Sequence, residues 1–166
     1  MITPAYVRTM AAYNRWQNQN LYTSADALTD AARKAPRQAF FGSIHGTFNH
    51  LLWADQLWME RFAGPPRPAA VPIEQSPFLC ADWDTLSRER FALDGAIIAW
   101  ANGLDASWIE DNLTWYSSSA QRELTRPKAL IVAHFFNHQT HHRGQVHAML
   151  TQCGLRPGDT DLPLML

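Results

Sequence analysis

From Lys128 to Cys153, between Pro127 and Gly154, the chain reads KALIVAHFFNHQTHHRGQVHAMLTQC. Proline at the opening and glycine at the close are the usual punctuation of a helix. A run of about 27 residues at 1.5 Å each makes a rod roughly 40 Å long. So long a helix needs partners of comparable length, and this requirement constrains the fold more than any other feature. The same segment also holds five of the seven histidines in the chain, His134, His138, His141, His142 and His147.

The partners are legible upstream. Thr3-Pro4 is an N-cap and first-turn pair, and Tyr6, Met10, Tyr13 and Leu21 mark a helical face to about residue 27. After the break ARKAPR, a second helix begins near Ser43, with Ile44, Thr47, Leu51, Ala54, Trp58 and Phe62 at helical spacing. Gly64-Pro65-Pro66 ends it, and a proline-rich connection runs to about residue 80. Asp82 caps a third helix that buries Leu86, Phe91, Leu93, Ile97, Ile98 and Trp100. Residues 108 to 125 lose the helical rhythm and predict an irregular segment or short hairpin. The tail LRPGDTDLPLML reads as loop. The expected fold is therefore all-α: one up-and-down four-helix bundle over residues 1–166, with that segment before its last helix.

Composition narrows the function classes. The chain has 166 residues, 46% hydrophobic, and a net charge of −1 with no basic block, which argues against a nucleic-acid surface. No apolar run approaches the roughly 20 residues of a membrane span, and the first residues lack signal-peptide architecture. Cys80 and Cys153 are too few for a disulfide framework, so a reducing cytoplasm is the expected compartment. Cys153 reads as a buried structural cysteine. The seven tryptophans exceed what one small bundle easily hides, and a homodimer interface is expected to cover some of them.

Helical geometry sorts the histidines. With His138 at zero on a wheel of 100° per residue, Ile131, Phe135, Val146 and Met149 centre the apolar face near about +45°. His142 falls near about +40°, His134 and His141 near about −40° and −60°, and His147 on the opposite side. His134/His138 and His138/His142 share the i, i+4 spacing that lets two imidazoles reach one metal. Orientation favours His138 and His142. The second helix offers His50, on the apolar side, as the candidate third ligand, with a core histidine bonded to a neighbouring group as the other reading of it; His45 points about 140° away. Gln145, His134 and Asn14 are candidates to orient a ligand or a water. Asp55 projects away from His50 towards the surface or another helix, and His141 and Arg143 are candidate anchors for an anionic group.

The segments FGSIHGTFNHLLWADQLWM and HFFNHQTHHRGQVHAML, with AAYNRWQNQNLY in the first helix, resemble the DinB family within the DinB/YfiT-like superfamily of metalloenzymes. The resemblance covers nearly the whole chain. It implies a four-helix bundle and a three-histidine site at His50, His138 and His142. It also implies zinc or nickel as the common metal, dimers among relatives, a link to damage-inducible proteins, and thiol-dependent transferases among the characterised members of the superfamily.

Three histidines leave a divalent ion at least one exchangeable position, and such an ion lowers the pKa of water or holds a thiol as thiolate. The chain has no cysteine in the motif, so a thiol would come from a low-molecular-weight cofactor. Three function classes follow. The first is a metal-dependent transferase or hydrolase of a small molecule; the second is a non-haem iron enzyme. The third is a non-catalytic, metal-binding stress protein.

Overall fold

The computed structural model describes residues 2–64, 71–118 and 120–165. Its helices begin where side chains can satisfy the first free N–H groups. Thr3 Oγ1 accepts from the N–H of Tyr6, Ser43 Oγ from Gly46 and Asp82 Oδ1 from Thr85, at 3.1, 2.9 and 2.8 Å. These caps open α1 (Pro4–Asp26), α3 (Ile44–Ala63) and α4 (Trp83–Gly103). Gly64, at φ 68°, supplies the left-handed residue that closes α3. The ARKAPR region holds the short α2 (Asp30–Lys34), and α5 (Ala106–Glu110) follows α4. The arrhythmic segment is a hairpin, β1 (Asn112–Ser117) antiparallel to β2 (Arg122–Pro127), leading into α6 (Lys128–Gln152).

Helix α1 packs against α4 and α6, and α3 packs against the same two, so α1 and α3 lie diagonally across the bundle. Trp83, at the start of α4, meets Tyr22 near the end of α1 and Phe48 near the start of α3. Trp100, late in α4, stacks on Phe62, late in α3, with ring centroids 5.1 Å apart. Tyr6 of α1 meets Phe136 of α6 edge-on. Thus α3 and α4 run in one direction and α1 and α6 in the other. The four-helix bundle matches the expectation. Its order, up, down, down, up, replaces strict alternation because the stretch 64–82 is long enough to return the chain to the end where α3 began.

The core falls into two apolar clusters. One gathers Leu21, Tyr22, Phe48, Leu52, Leu86 and Leu150; the other gathers Val7, Trp58, Phe62, Ile97, Val132 and Phe135. Polar side chains that are also buried occupy the waist between them: Asn14, Asn18, Asp55, Arg90, Asp94, Gln139 and Arg143. Asp55 Oδ2 accepts from Arg90 at 2.7 Å and from Gln139 at 3.1 Å, while Arg90 pairs with Asp94 at 2.8 Å. Asp94 accepts from Asn14 and Asn18, and Asn14 Oδ1 accepts from Arg143. All four long helices meet in this layer.

Several local expectations are corrected. Phe91 is not buried; it lies at the rim of α4, 38% exposed, with its ring against Tyr22. Leu93, Ile98 and Trp100 are half-buried, and the inner face of α4 is completed instead by Arg90 and Asp94. Cys153 is half-buried and accepts a hydrogen bond from Arg37 at 2.9 Å. The tail is tied to α1, because Gln17 and Tyr13 donate to the carbonyls of Asp159 and Thr160. Trp58 and Trp83 are buried and the other five tryptophans half-buried. No helix among the described residues is long and apolar enough to cross a membrane.

Candidate metal centre

His50 lies in the second turn of α3, in a stretch from Ile44 to Leu52 that is buried all round. A loop and a 3₁₀ turn cover the faces that a lone helix would leave to solvent. Gly46 permits the first cover: a Cβ there would meet Phe41 O at 2.4 Å and Pro77 Cβ at 3.3 Å. With only a hydrogen in that place, the Phe41 segment lies flat on α3 and the Phe41 ring stacks on His50, centroids 3.7 Å apart. The second cover is the 3₁₀ turn Ile73–Phe78. It is fastened at Cys80, whose N–H donates to Asn49 Oδ1 while its carbonyl accepts from Asn49 Nδ2 and His45 Nε2. This explains His45. The wheel set it away from the apolar side, yet it is buried because the returning chain supplies a second inner face.

The turn brings a residue that helical periodicity could not find. Ser76 is fully buried; its hydroxyl donates to Ile73 O at 2.6 Å and accepts from His50 Nδ1 at 2.9 Å. With Nδ1 holding the proton, His50 presents the lone pair of Nε2. On α6, His142 Nδ1 donates to Gln145 Oε1 at 2.9 Å, and Gln145 Nε2 in turn meets His141 Nε2 at 3.1 Å. His142 thus also has its Nε2 free. The third ring, His138, places Nε2 3.3 Å from that of His50, and its Nδ1 is buried without a hydrogen-bond partner.

One ligand nitrogen from each of His50, His138 and His142 lies within 4.8 Å of the others. Two nitrogens bound at 2.0–2.1 Å to a tetrahedral ion stand about 3.3 Å apart, which is the His50–His138 separation. The widest pair needs only a modest ring adjustment. Burial, reinforced by repulsion between neighbouring rings, pulls His50 and His138 down to about 3, and burial also lowers His142. All three are therefore neutral at pH 7, the form that binds metals. The residues present fit a divalent ion.

The remaining expected residues fall in different places. Gln145 holds His142. His134 is exposed, with its ring edge-on to Trp58 and 5.8 Å from that of His138. Asn14 makes its bonds to Asp94 and Arg143 in the waist and not to the imidazoles. Asp55 is paired to Arg90 of another helix. Arg143, a candidate anchor for an anionic group, is buried: it lies over the Tyr13 ring, bonded to Asn14 and Thr140. Its loss of hydration lowers its pKa to about 10, still well above neutrality.

Comparison with known proteins places this helical bundle in a family. The sequence matches the DinB family over residues 1–166, and the protein belongs to that family. It is 24% identical over 159 residues to Protein DinB of Bacillus subtilis (strain 168), covering 93% of this chain and 90% of that one. Its fold is similar to that of YfiT from Bacillus subtilis, described as "a probable metal-dependent hydrolase with an unusual four-helix bundle topology". That similarity has a TM-score of 0.67 at 14% identity and covers 94% of this chain and 92% of the other.

Proposed function

We propose that His50, His138 and His142 hold one divalent ion, zinc or nickel by preference, and that the protein is a metal-dependent hydrolase or transferase of a small molecule. The observation that carries this reading is the orientation of the rings. Ser76 and Gln145 hold two of the three so that their Nε2 lone pairs turn towards the third ligand. Burying neutral imidazoles with inward lone pairs is costly unless something accepts them. No fourth His, Cys, Asp or Glu joins the trio among the described residues, whereas closed structural zinc sites have four protein ligands. A bound ion would supply Lewis acidity and an exchangeable coordination position.

The chain's own groups set the rest. Phe41 and Trp53 flank the His50 ring and keep water from its faces. Asp55 is committed to Arg90 and Gln139 and is not free to move a proton at the trio. A low-molecular-weight thiol is a reading consistent with the absence of a cysteine from the trio. The test is a cobalt-substituted sample titrated with small thiols, azide and imidazole. Spectral change on addition, with reversible loss of activity on chelation, supports the enzyme. A closed spectrum indifferent to all three contradicts it and favours a non-catalytic metal-binding bundle. Metal analysis of tag-free protein separates the iron alternative.

A homodimer is also proposed. Exposed Phe40, Phe78, Tyr116 and Leu130, with the five half-buried tryptophans, support it. A monomeric mass by light scattering at micromolar concentration contradicts it.

A further inference from the structure

A second feature lies beside the trio but outside it. A cavity of about 470 Å³ opens between residues 36–40, which link α2 to α3, and the stretch of α6 from Gln145 to Gln152. That volume lies in the range of small-molecule sites. Arg37 is the one charged side chain among its lining residues, and none of them is acidic. No described carboxylate pairs with Arg37: Nη2 reaches Ala32 O and Cys153 Sγ, and Nε is buried without a partner. Met149, Ala148 and Ala39 supply an apolar wall, and Phe40, 82% exposed, also lines the cavity.

We infer that this cavity binds a small monocarboxylate with an apolar tail, its carboxylate on Arg37. A guanidinium without a carboxylate partner suits one negative charge, and Nη1, the nitrogen not engaged by Ala32 O or Cys153 Sγ, is the donor it offers. The cavity is linked to the trio through Gln145, whose side chain lines it while its Oε1 holds His142. An occupant that shifts Gln145 changes the support of His142. This link rests on the metal reading above; binding to Arg37 does not.

The binding test uses metal-free protein, titrated with 3-phenylpropionate, its uncharged amide and inorganic phosphate while backbone amide shifts are recorded. The carboxylate should give saturable shifts at Ala148, Met149 and Gln152, with the amide at least about tenfold weaker. Arg37→Gln should abolish that preference, and Arg37→Lys should keep part of it. No saturable shift, equal binding of acid and amide, or phosphate binding as tight as the carboxylate each overturns the assignment. Because acid and amide are compared on the native chain, the result does not depend on a variant folding. In the cobalt-loaded protein the carboxylate should alter the ligand-field spectrum of the native chain but not of Arg37→Gln. A change that survives in the variant marks direct ligation at the metal and overturns the link. Failure to load cobalt sinks the metal reading alone.

Discussion

Two polar clusters share α3 and α6, and they are built on opposite rules. In the waist, Asp55, Arg90, Asp94, Asn14 and Arg143 answer one another: two acids face two bases. Directly beside it on α3 and α6, where Gln139 and Arg143 follow His138 and His142 in the chain, the three imidazoles of His50, His138 and His142 are all neutral, and two are tied at the outer nitrogen so that the inner one is left over. A buried cluster whose opposite charges pair holds a fold together, even with Asp55 Oδ1, Arg90 Nε and Gln139 Oε1 left without hydrogen-bond partners. One whose lone pairs converge on a point is prepared for something else.

The comparison breaks most sharply by substitution. Arg90→Leu leaves two buried carboxylates without their cation and should destabilise the protein by about 3–5 kcal/mol in urea unfolding. His138→Ala in the metal-free protein should cost far less, because the atom removed had no protein partner at Nδ1. Equal losses in the two variants would show that the trio is structural as well.

Next in size is the response to acid. His50 and His138 sit at about 3 in the folded protein against an ordinary 6.5. Between those values the unfolded chain binds protons that the native chain does not. Stability of the metal-free protein is therefore fully present above about pH 6.5 and should fall as pH drops from there towards about pH 3. Urea midpoints at about pH 7.5 and about pH 5 check the sign, and His138→Ala should flatten the slope. A midpoint that rises on acidification contradicts the neutral trio.

The smallest effect concerns the outer support. Ser76→Ala removes the acceptor for His50 Nδ1 and should weaken metal affinity about 10–100-fold with little change in stability. Competition against a chromophoric chelator reads it. Unchanged affinity would mean that Phe41 stacking alone orients the ring.

The sequence made the trio legible because α6 and α3 are long and regular there, so angle predicts direction. It made the waist nearly illegible. The inner face of α1 carries Asn14, Gln17 and Asn18 beside Val7 and Ala11, and a wheel scored on apolarity rotates it towards Tyr6, which is 37% exposed. Arg90 and Asp94 hide in the same way on α4. Ser76 and Phe41 were out of reach for another reason: both act from non-helical segments with no periodicity to read.

Metal content of tag-free protein, measured alongside X-ray absorption, tests the central claim most directly. The account predicts one divalent ion per chain, with three imidazole nitrogens at about 2.0–2.1 Å and an exchangeable light-atom ligand. The ion should be lost in His138→Ala and kept in His147→Ala. Retention in both variants, loss in both, or a fourth protein ligand in the native spectrum would contradict it.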